Sequence, residues 1–152
     1  MAEMLSVSFA FQKDRGLISN VPGKPEITIK DPIVDDQNQY SPTEYLLFAM
    51  GGCSAADVLL ILRKMKNFPE RFEVRVEAER EPVDPKVVRF VNIQYMMEGS
   101  VDPEKAERAI NLSLTKYCSV SIIVKRGGAD LRYSLVINGK PVKEKEKPQE
   151  IS

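Results

Sequence analysis

The chain has two cysteines, Cys53 and Cys118, and no histidine. Without imidazole, the sequence excludes a Cys-His protease dyad, a Ser-His-Asp triad and a histidine-containing zinc site. Two cysteines are also fewer than the four ligands that a structural zinc site takes. A dithiol/disulfide pair is therefore the simplest reactive interpretation of these residues.

Cys53 follows Gly51 and Gly52 in an apolar helical stretch, where each glycine costs about 1 kcal/mol relative to alanine. Two compatible explanations stay open. Either another backbone or helix packs closely at this point, or the missing side chains open a slot through which a substrate or a reducing thiol reaches the sulfur. A cysteine with an unperturbed pKa near 8.5 is only a few per cent ionised at neutral pH. Because Cys53 lies in mid-helix, we expect an arginine from elsewhere in the chain to stabilise its thiolate.

Cys118, Asp57 and Glu44 each have a structural interpretation beside a chemical one. A buried free cysteine is usually a small hydrophobic residue, but Cys118 lies at a predicted helix-to-strand junction that can approach a second helix. Asp57 shares the helical face of Cys53, where a carboxylate would raise a thiol pKa, so we interpret Asp57 as a structural acid with its own donor. Glu44 is either a capping-box acid or a catalytic group.

Around these residues the sequence predicts an α+β domain with a largely antiparallel sheet. Short alternating segments before residue 40 indicate a meander, and Ser41-Pro42-Thr43-Glu44 predicts the start of a helix that runs to about Lys66. That helix is apolar around most of its circumference, which is typical of a helix buried on several sides. We expect it to form the core of the fold.

The second half of the chain predicts two hairpins separated by an amphipathic helix. The predicted elements are a strand over 72–79, its partner over 87–98, a helix beginning at Asp102-Pro103-Glu104, and a last hairpin of Ser119 to Lys125 with Leu131 to Ile137. Residues 1–139 are expected to form a single domain. Lys140 to Ser152 is charged and is expected to be a frayed tail.

Composition excludes several classes of partner. Lysine plus arginine and aspartate plus glutamate number 22 each, so no net charge recruits nucleic acid. Asp57 and Arg63 interrupt the most apolar segment, so no membrane span is expected. The N-terminal residues lack a secretory signal, and we expect a cytoplasmic protein. In the cytosol structural disulfides are rare, so a cysteine pair there is more often catalytic or redox-active.

Two segments, each carrying one cysteine, resemble the signatures of the OsmC/Ohr family of osmotically inducible and organic hydroperoxide resistance proteins. The first runs from Ser41 to Val58 and contains Gly51-Gly52-Cys53; the second begins at Asp102-Pro103-Glu104 and ends at Lys116-Tyr117-Cys118-Ser119-Val120. The resemblance covers roughly Ser6 to Ile137. It implies an OsmC-like fold, in which antiparallel sheets surround a long buried central helix within an intertwined homodimer.

The resemblance also implies thiol-dependent peroxidase chemistry with no metal and no cofactor. Cys53 would attack an organic hydroperoxide, or hydrogen peroxide more weakly, and Cys118 would resolve the sulfenic acid to a disulfide. An external lipoyl or thioredoxin-like dithiol would then reduce it. Family members pair the reactive cysteine with an N-terminal arginine and a glutamate near the helix start, which Arg15 and Glu44 match in this chain.

One departure from the family pattern favours a different class of function. The family glutamate directly follows the proline, where this chain has Thr43, and Glu44 stands one residue later, a step of about 100° on a helix. The alternative is a non-catalytic dimeric domain that binds an apolar ligand or senses redox state. Sulfur or persulfide handling would use the same cysteines and stays open.

Overall fold

The computed structural model describes residues 2–35 and 38–151, which divide into two compact units, Met1–Leu46 and Leu47–Ser152. The division falls within the first helix. The prediction of one domain over residues 1–139 stays a prediction.

The N-terminal unit is a three-stranded antiparallel sheet of β1 (Phe9–Gln12), β2 (Gly16–Ser19) and β3 (Thr28–Ile29). The turn between β1 and β2 holds Asp14 and Gly16 at positive φ. Gly16 is required there, because a Cβ would lie 2.8 Å from the carbonyl oxygen of Ile29. The predicted meander is therefore confirmed.

Helix α1 spans Pro42–Lys64 and begins at the predicted capping box. Ser41 Oγ accepts a hydrogen bond from the Glu44 amide at 3.1 Å, and Glu44 Oε1 accepts one from the Ser41 amide at 3.0 Å. By length and composition alone α1 would also suffice to cross a membrane, a test that core helices of soluble proteins pass as well. The expectation that no segment spans a membrane stays a prediction.

The C-terminal unit is a four-stranded sheet in the order β4-β5-β6-β7, with three further helical segments between β5 and β6. The strands are β4 (Arg71–Arg80), β5 (Val88–Glu98), β6 (Asp130–Ile137) and β7 (Lys140–Glu146). The helical segments are α2 (Pro103–Leu112), a π-helical turn (Ser113–Tyr117) and α3 (Ser119–Arg126). The antiparallel β4–β5 hairpin and the Asp102 cap of α2 are confirmed, and the fold is α+β as predicted.

The last predicted hairpin is wrong. Ser119–Arg126 is a helix, and β6 pairs with β5 in parallel from Phe90↔Asp130 to Met97↔Ile137. Parallel neighbours need a crossover connection, and α2, the π-helical turn and α3 form it. The β-branched residues of this segment favour a strand by a propensity that spans only about 1 kcal/mol, which tertiary structure overrides.

The tail predicted to be frayed contains β7, which pairs antiparallel with β6 at Val136↔Pro141 and Ile137↔Lys140. Its alternation is weak because it is an edge strand, and charged residues are common on such strands.

The core of the C-terminal unit lies on the central strands of the sheet and the helices that cover it. On β5 and β6, Val91, Ile93, Tyr95 and Leu135 are almost completely buried. Helix α1 buries one stripe within a single chain, at Met50, Gly51, Ser54, Val58 and Leu62. Other apolar residues of α1, including Phe48 and Leu60, stay more than half exposed. The expected burial on several sides is therefore not reached within one chain.

Candidate active site

The two cysteines come together in the C-terminal unit, although 64 residues separate them in the sequence. The Sγ atoms of Cys53 and Cys118 and a carboxylate oxygen of Asp57 all lie within 4.8 Å of one another. Both thiols are free, Cys53 is half-buried, and Cys118 is buried. A disulfide between them would need only a short approach of the two sulfur atoms.

Helix α1 supplies Cys53 and Asp57, which share a face because they are four residues apart. A Cβ on Gly51 would lie 2.8 Å from Val76 Cγ2 of β4, so this glycine lets α1 pack closely on the sheet. A Cβ on Gly52 would meet nothing within 4 Å. Close packing at Gly51 confirms the first explanation, whereas a slot that leads to the sulfur stays a prediction.

The π-helical turn places Cys118. Its amide donates to the Ser113 carbonyl at 2.7 Å, a bond across five residues, and its extended backbone (φ −79°, ψ 93°) then starts α3. Single π-helical turns are rare in proteins and occur frequently at functional sites. The hydrogen bond places Ser113 and Cys118 one π-helical turn apart. Both side chains contact α1, Ser113 at Asp57 and Cys118 at the Met50 carbonyl.

Burial sets the chemistry of Cys118. Its sulfur lies 3.1 Å from Ser121 Oγ and 3.9 Å from the Met50 carbonyl oxygen, both acceptors for the S–H. Burial raises the pKa of the Cys118 thiol to about 11, and hydrogen bonding with Ser121 offsets part of the rise. Cys118 is therefore a thiol, not a thiolate, at neutral pH.

A chain of buried hydroxyl groups ends at Asp57. Ser113 donates to Asp57 Oδ2 at 3.0 Å, Ser54 Oγ lies 2.8 Å from Ser113 Oγ, and Tyr95 Oη lies 2.5 Å from Ser54 Oγ. A hydroxyl has one proton to donate. Because Ser113 gives its proton to Asp57, it accepts from Ser54, and Ser54 in turn accepts from Tyr95.

Burial raises the pKa of the Asp57 carboxyl, and the hydrogen bond from Ser113 offsets part of that rise. Burial also raises the pKa of Tyr95. The sequence predicted that Asp57 would have its own donor, which Ser113 supplies. It did not predict Ser54, Ser113 and Tyr95 as partners, although Ser113, which continues the apolar face of α2 at its end, indicates a polar contact in the core.

Arg15 and Glu44 belong to the N-terminal unit and have local partners there. Arg15 forms an ion pair with Glu26 at 2.8 Å and donates to Gln12 Oε1 at 3.0 Å. Glu44 holds the capping-box bond to Ser41. The assignment of both residues to the cysteine site stays a prediction.

The donor set of the cysteine cluster is two thiols and one carboxylate. Three atoms are one fewer than the four ligands of a structural zinc site. A catalytic zinc site takes three protein ligands, so the expectation that this site holds no metal stays a prediction.

The chain is an α+β protein with two adjacent cysteines, in which a long helix packs on β4 and a helical crossover joins the parallel strands β5 and β6. Comparisons with known proteins specify this class further. The family model described as OsmC-like protein matches residues 35–134, more than half of the chain. The chain therefore belongs to the OsmC-like family, as its resemblance predicted.

Protein YhfA of Escherichia coli (strain K12) is 36% identical over 87 residues, which are 57% of this chain and 65% of YhfA. The match thus spans less than two thirds of that relative. A solved structure of a hypothetical protein from Aquifex aeolicus VF5 is 28% identical, with a TM-score of 0.79 over 90% of this chain and 98% of that one. The organic hydroperoxide resistance protein OsmC from Legionella pneumophila has the same fold at 14% identity, with a TM-score of 0.67 over 89% and 99% of the two chains.

Proposed function

We propose that this protein is a thiol-dependent peroxidase that reduces organic hydroperoxides, and hydrogen peroxide more weakly. The observation that carries the proposal is the pair of sulfur atoms within 4.8 Å, one half-buried and the other buried. The accessible thiol suits attack on a substrate, and the buried thiol suits a later step within the protein. Membership of the OsmC-like family supports the same class of chemistry.

In the proposed cycle the Cys53 thiolate attacks the outer oxygen of the hydroperoxide. An S–O bond forms, the O–O bond breaks, and the alkoxide leaves as an alcohol after it takes a proton. Cys118 then displaces the sulfenic oxygen as water and forms the Cys53–Cys118 disulfide. A lipoyl or thioredoxin-like dithiol reduces this disulfide by thiol–disulfide exchange.

The proposal includes a homodimer and a cytoplasmic setting. Phe48 and Leu60 of α1 are 56% and 53% exposed in a single chain, a large exposure for apolar residues of a core helix. In the dimer, Arg15 would stabilise the Cys53 thiolate and Glu44 would assist at the same site. Sedimentation equilibrium tests the assembly, and a monomer at micromolar concentration would refute it.

Stopped-flow mixing of the reduced protein with cumene hydroperoxide tests the activity. We expect Cys53→Ser to abolish peroxide consumption and Cys118→Ser to stop the cycle after one turnover, at a trapped sulfenic acid. Arg15→Lys retains the positive charge but changes its geometry, so it is a matched control for Arg15→Ala. Thiol loss no faster than that of free cysteine would refute the proposal.

A second candidate is a non-catalytic domain that binds an apolar ligand. The N-terminal unit contains an open cavity of about 440 Å³ whose lining includes Leu17, Ile29, Ile33, Val34 and Pro42. This volume is within the range of small-molecule sites. The capping bond of Glu44 also gives that residue a purely structural role. Saturable binding of a fatty acid, with both thiols still free after peroxide treatment, would select this function over the first.

A further inference from the structure

We propose that Asp57 is the general base of the resolving step, accepting the Cys118 proton and delivering it to the oxygen that leaves Cys53. This inference rests on the proposed peroxidase function and deepens it. It assigns a reacting role to a residue that the sequence indicated only as a structural acid.

The resolving step needs a base because of where Cys118 lies. With a pKa of about 11, only about one part in 10,000 of this thiol is ionised at pH 7. Its two hydrogen-bond acceptors, Ser121 Oγ and the Met50 carbonyl, are neutral groups that cannot keep a proton. The buried thiol therefore depends on a neighbouring ionisable acceptor.

Asp57 is that acceptor by position. One of its carboxylate oxygens lies within 4.8 Å of both sulfur atoms, so a single group can reach the thiol that loses a proton and the sulfur that carries the leaving oxygen. Among the described residues, the titratable groups that face Asp57 are Cys53, Cys118 and, through two serines, Tyr95.

The hydroxyl chain prepares Asp57 for this role. Ser113 donates to Oδ2, which stabilises the carboxylate in a site where burial raises its pKa. A raised carboxyl pKa brings it closer to neutral pH, where a base that must also return its proton is most effective. Ser54 and Tyr95 hold Ser113 in place and are positioning residues.

The step balances. Cys118 Sγ forms a bond to Cys53 Sγ as its proton passes to Asp57, the S–O bond of the sulfenic acid breaks, and its electron pair stays on oxygen. That oxygen takes the proton from Asp57 and leaves as water. The carboxylate is regenerated, and no oxidant beyond the hydroperoxide is used.

Single-turnover kinetics separate this step from the first. Reduced protein is mixed with one equivalent of cumene hydroperoxide, dimedone traps the sulfenic acid at successive times, and intact mass gives the sulfenic and disulfide fractions. We expect Asp57→Asn to slow disulfide formation about 100-fold or more and to accumulate sulfenic acid, because general-base catalysis contributes roughly 10²–10⁴-fold. Formation of the sulfenic acid itself should change less than threefold.

The pH profile distinguishes a base from a structural residue. In the unsubstituted protein the resolving rate should rise through the pKa of Asp57 and then level. In Asp57→Asn it should rise about tenfold per pH unit, following ionisation of Cys118. Ser113→Ala removes a bond that lowers the Asp57 pKa, so the inflection should move to higher pH, and Asp57→Glu should restore part of the rate.

Three results would overturn the inference. The first is an Asp57→Asn variant that forms the disulfide at the normal rate with an unchanged pH profile. The second is acceleration of the first step alone, which would make Asp57 only a repelling charge beside Cys53. The third is a pH profile of the resolving rate whose inflection does not move in Ser113→Ala. That result would overturn the inference even if Asp57→Asn failed to fold. If the unsubstituted protein formed no sulfenic acid, the peroxidase proposal itself would fail, which the same trace shows separately.

Discussion

Adjacent glycines on α1 provide a matched pair for testing how Cys53 is positioned. Replacing either Gly51 or Gly52 with alanine gives the same gain in helix propensity, about 1 kcal/mol. The surroundings differ. A Cβ at Gly51 would lie 2.8 Å from Val76 Cγ2 and 3.5 Å from Val74 Cγ1, whereas one at Gly52 would meet nothing within 4 Å.

Relief of the contact at Gly51 is costly because valine is stiff about χ1, and α1 or β4 must move instead. Overpacking of this kind costs about 1–3 kcal/mol. After the propensity gain, Gly51→Ala should range from neutral to about 2 kcal/mol destabilising, while Gly52→Ala should be about 1 kcal/mol stabilising. The two variants should therefore differ by about 1–3 kcal/mol in the free energy of unfolding.

Urea unfolding of the reduced variants, at several protein concentrations to separate assembly from folding, measures this difference. Val76→Ala in the Gly51→Ala background provides the control, since removing Cγ2 should recover at least about 1 kcal/mol relative to additivity. Equal stability of the two alanine variants would refute the account of close packing between α1 and β4.

Three further predictions concern the C-terminal unit. Burial raises the Cys118 pKa to about 11, so the contribution of this thiol to stability is present below about pH 9 and is lost as the pH rises to 11. Over that pH interval the free energy of unfolding of the reduced protein should fall by about 2–3 kcal/mol more than that of Cys118→Ala. Superimposable profiles would contradict this. Tyr95→Phe removes the donor to Ser54 and should lower the free energy of unfolding by about 1–3 kcal/mol, measured by thermal unfolding. Tyr133→Phe should cost less, because the Tyr133 hydroxyl accepts only a 3.5 Å bond from Asn111. The reverse order would be evidence against the hydroxyl chain. Asp102→Ala removes the cap that accepts from the Glu104 amide at 3.0 Å and should cost about 1 kcal/mol, while Asp102→Asn should cost little; equal losses in the two variants would exclude the cap as the cause.

Local sequence signals predicted the elements that are determined by residues close together in the chain. The Ser41–Glu44 capping box, the Asp102 cap and the alternation of β4 each depend on residues within a few positions of one another. The approach of Cys53 and Cys118 followed from the family signatures, because spacing along a chain does not specify contact in space.

Elements that depend on distant partners could not be predicted in this way. Ser119–Arg126 has the composition of a strand, but it completes a crossover that β5 and β6 require to pair in parallel. Lys140–Glu146 becomes a strand because β6 offers it an edge. The hydroxyl chain joins α1, β5 and the π-helical turn, so no single segment contains its pattern.

The most direct test of the central claim is a non-reducing peptide map after one equivalent of organic hydroperoxide. With the two sulfur atoms within 4.8 Å, the account predicts one disulfide-linked peptide pair containing Cys53 and Cys118 within each chain. Quantitative alkylation of both cysteines after peroxide treatment, or linkage of Cys53 only to a second chain, would contradict it.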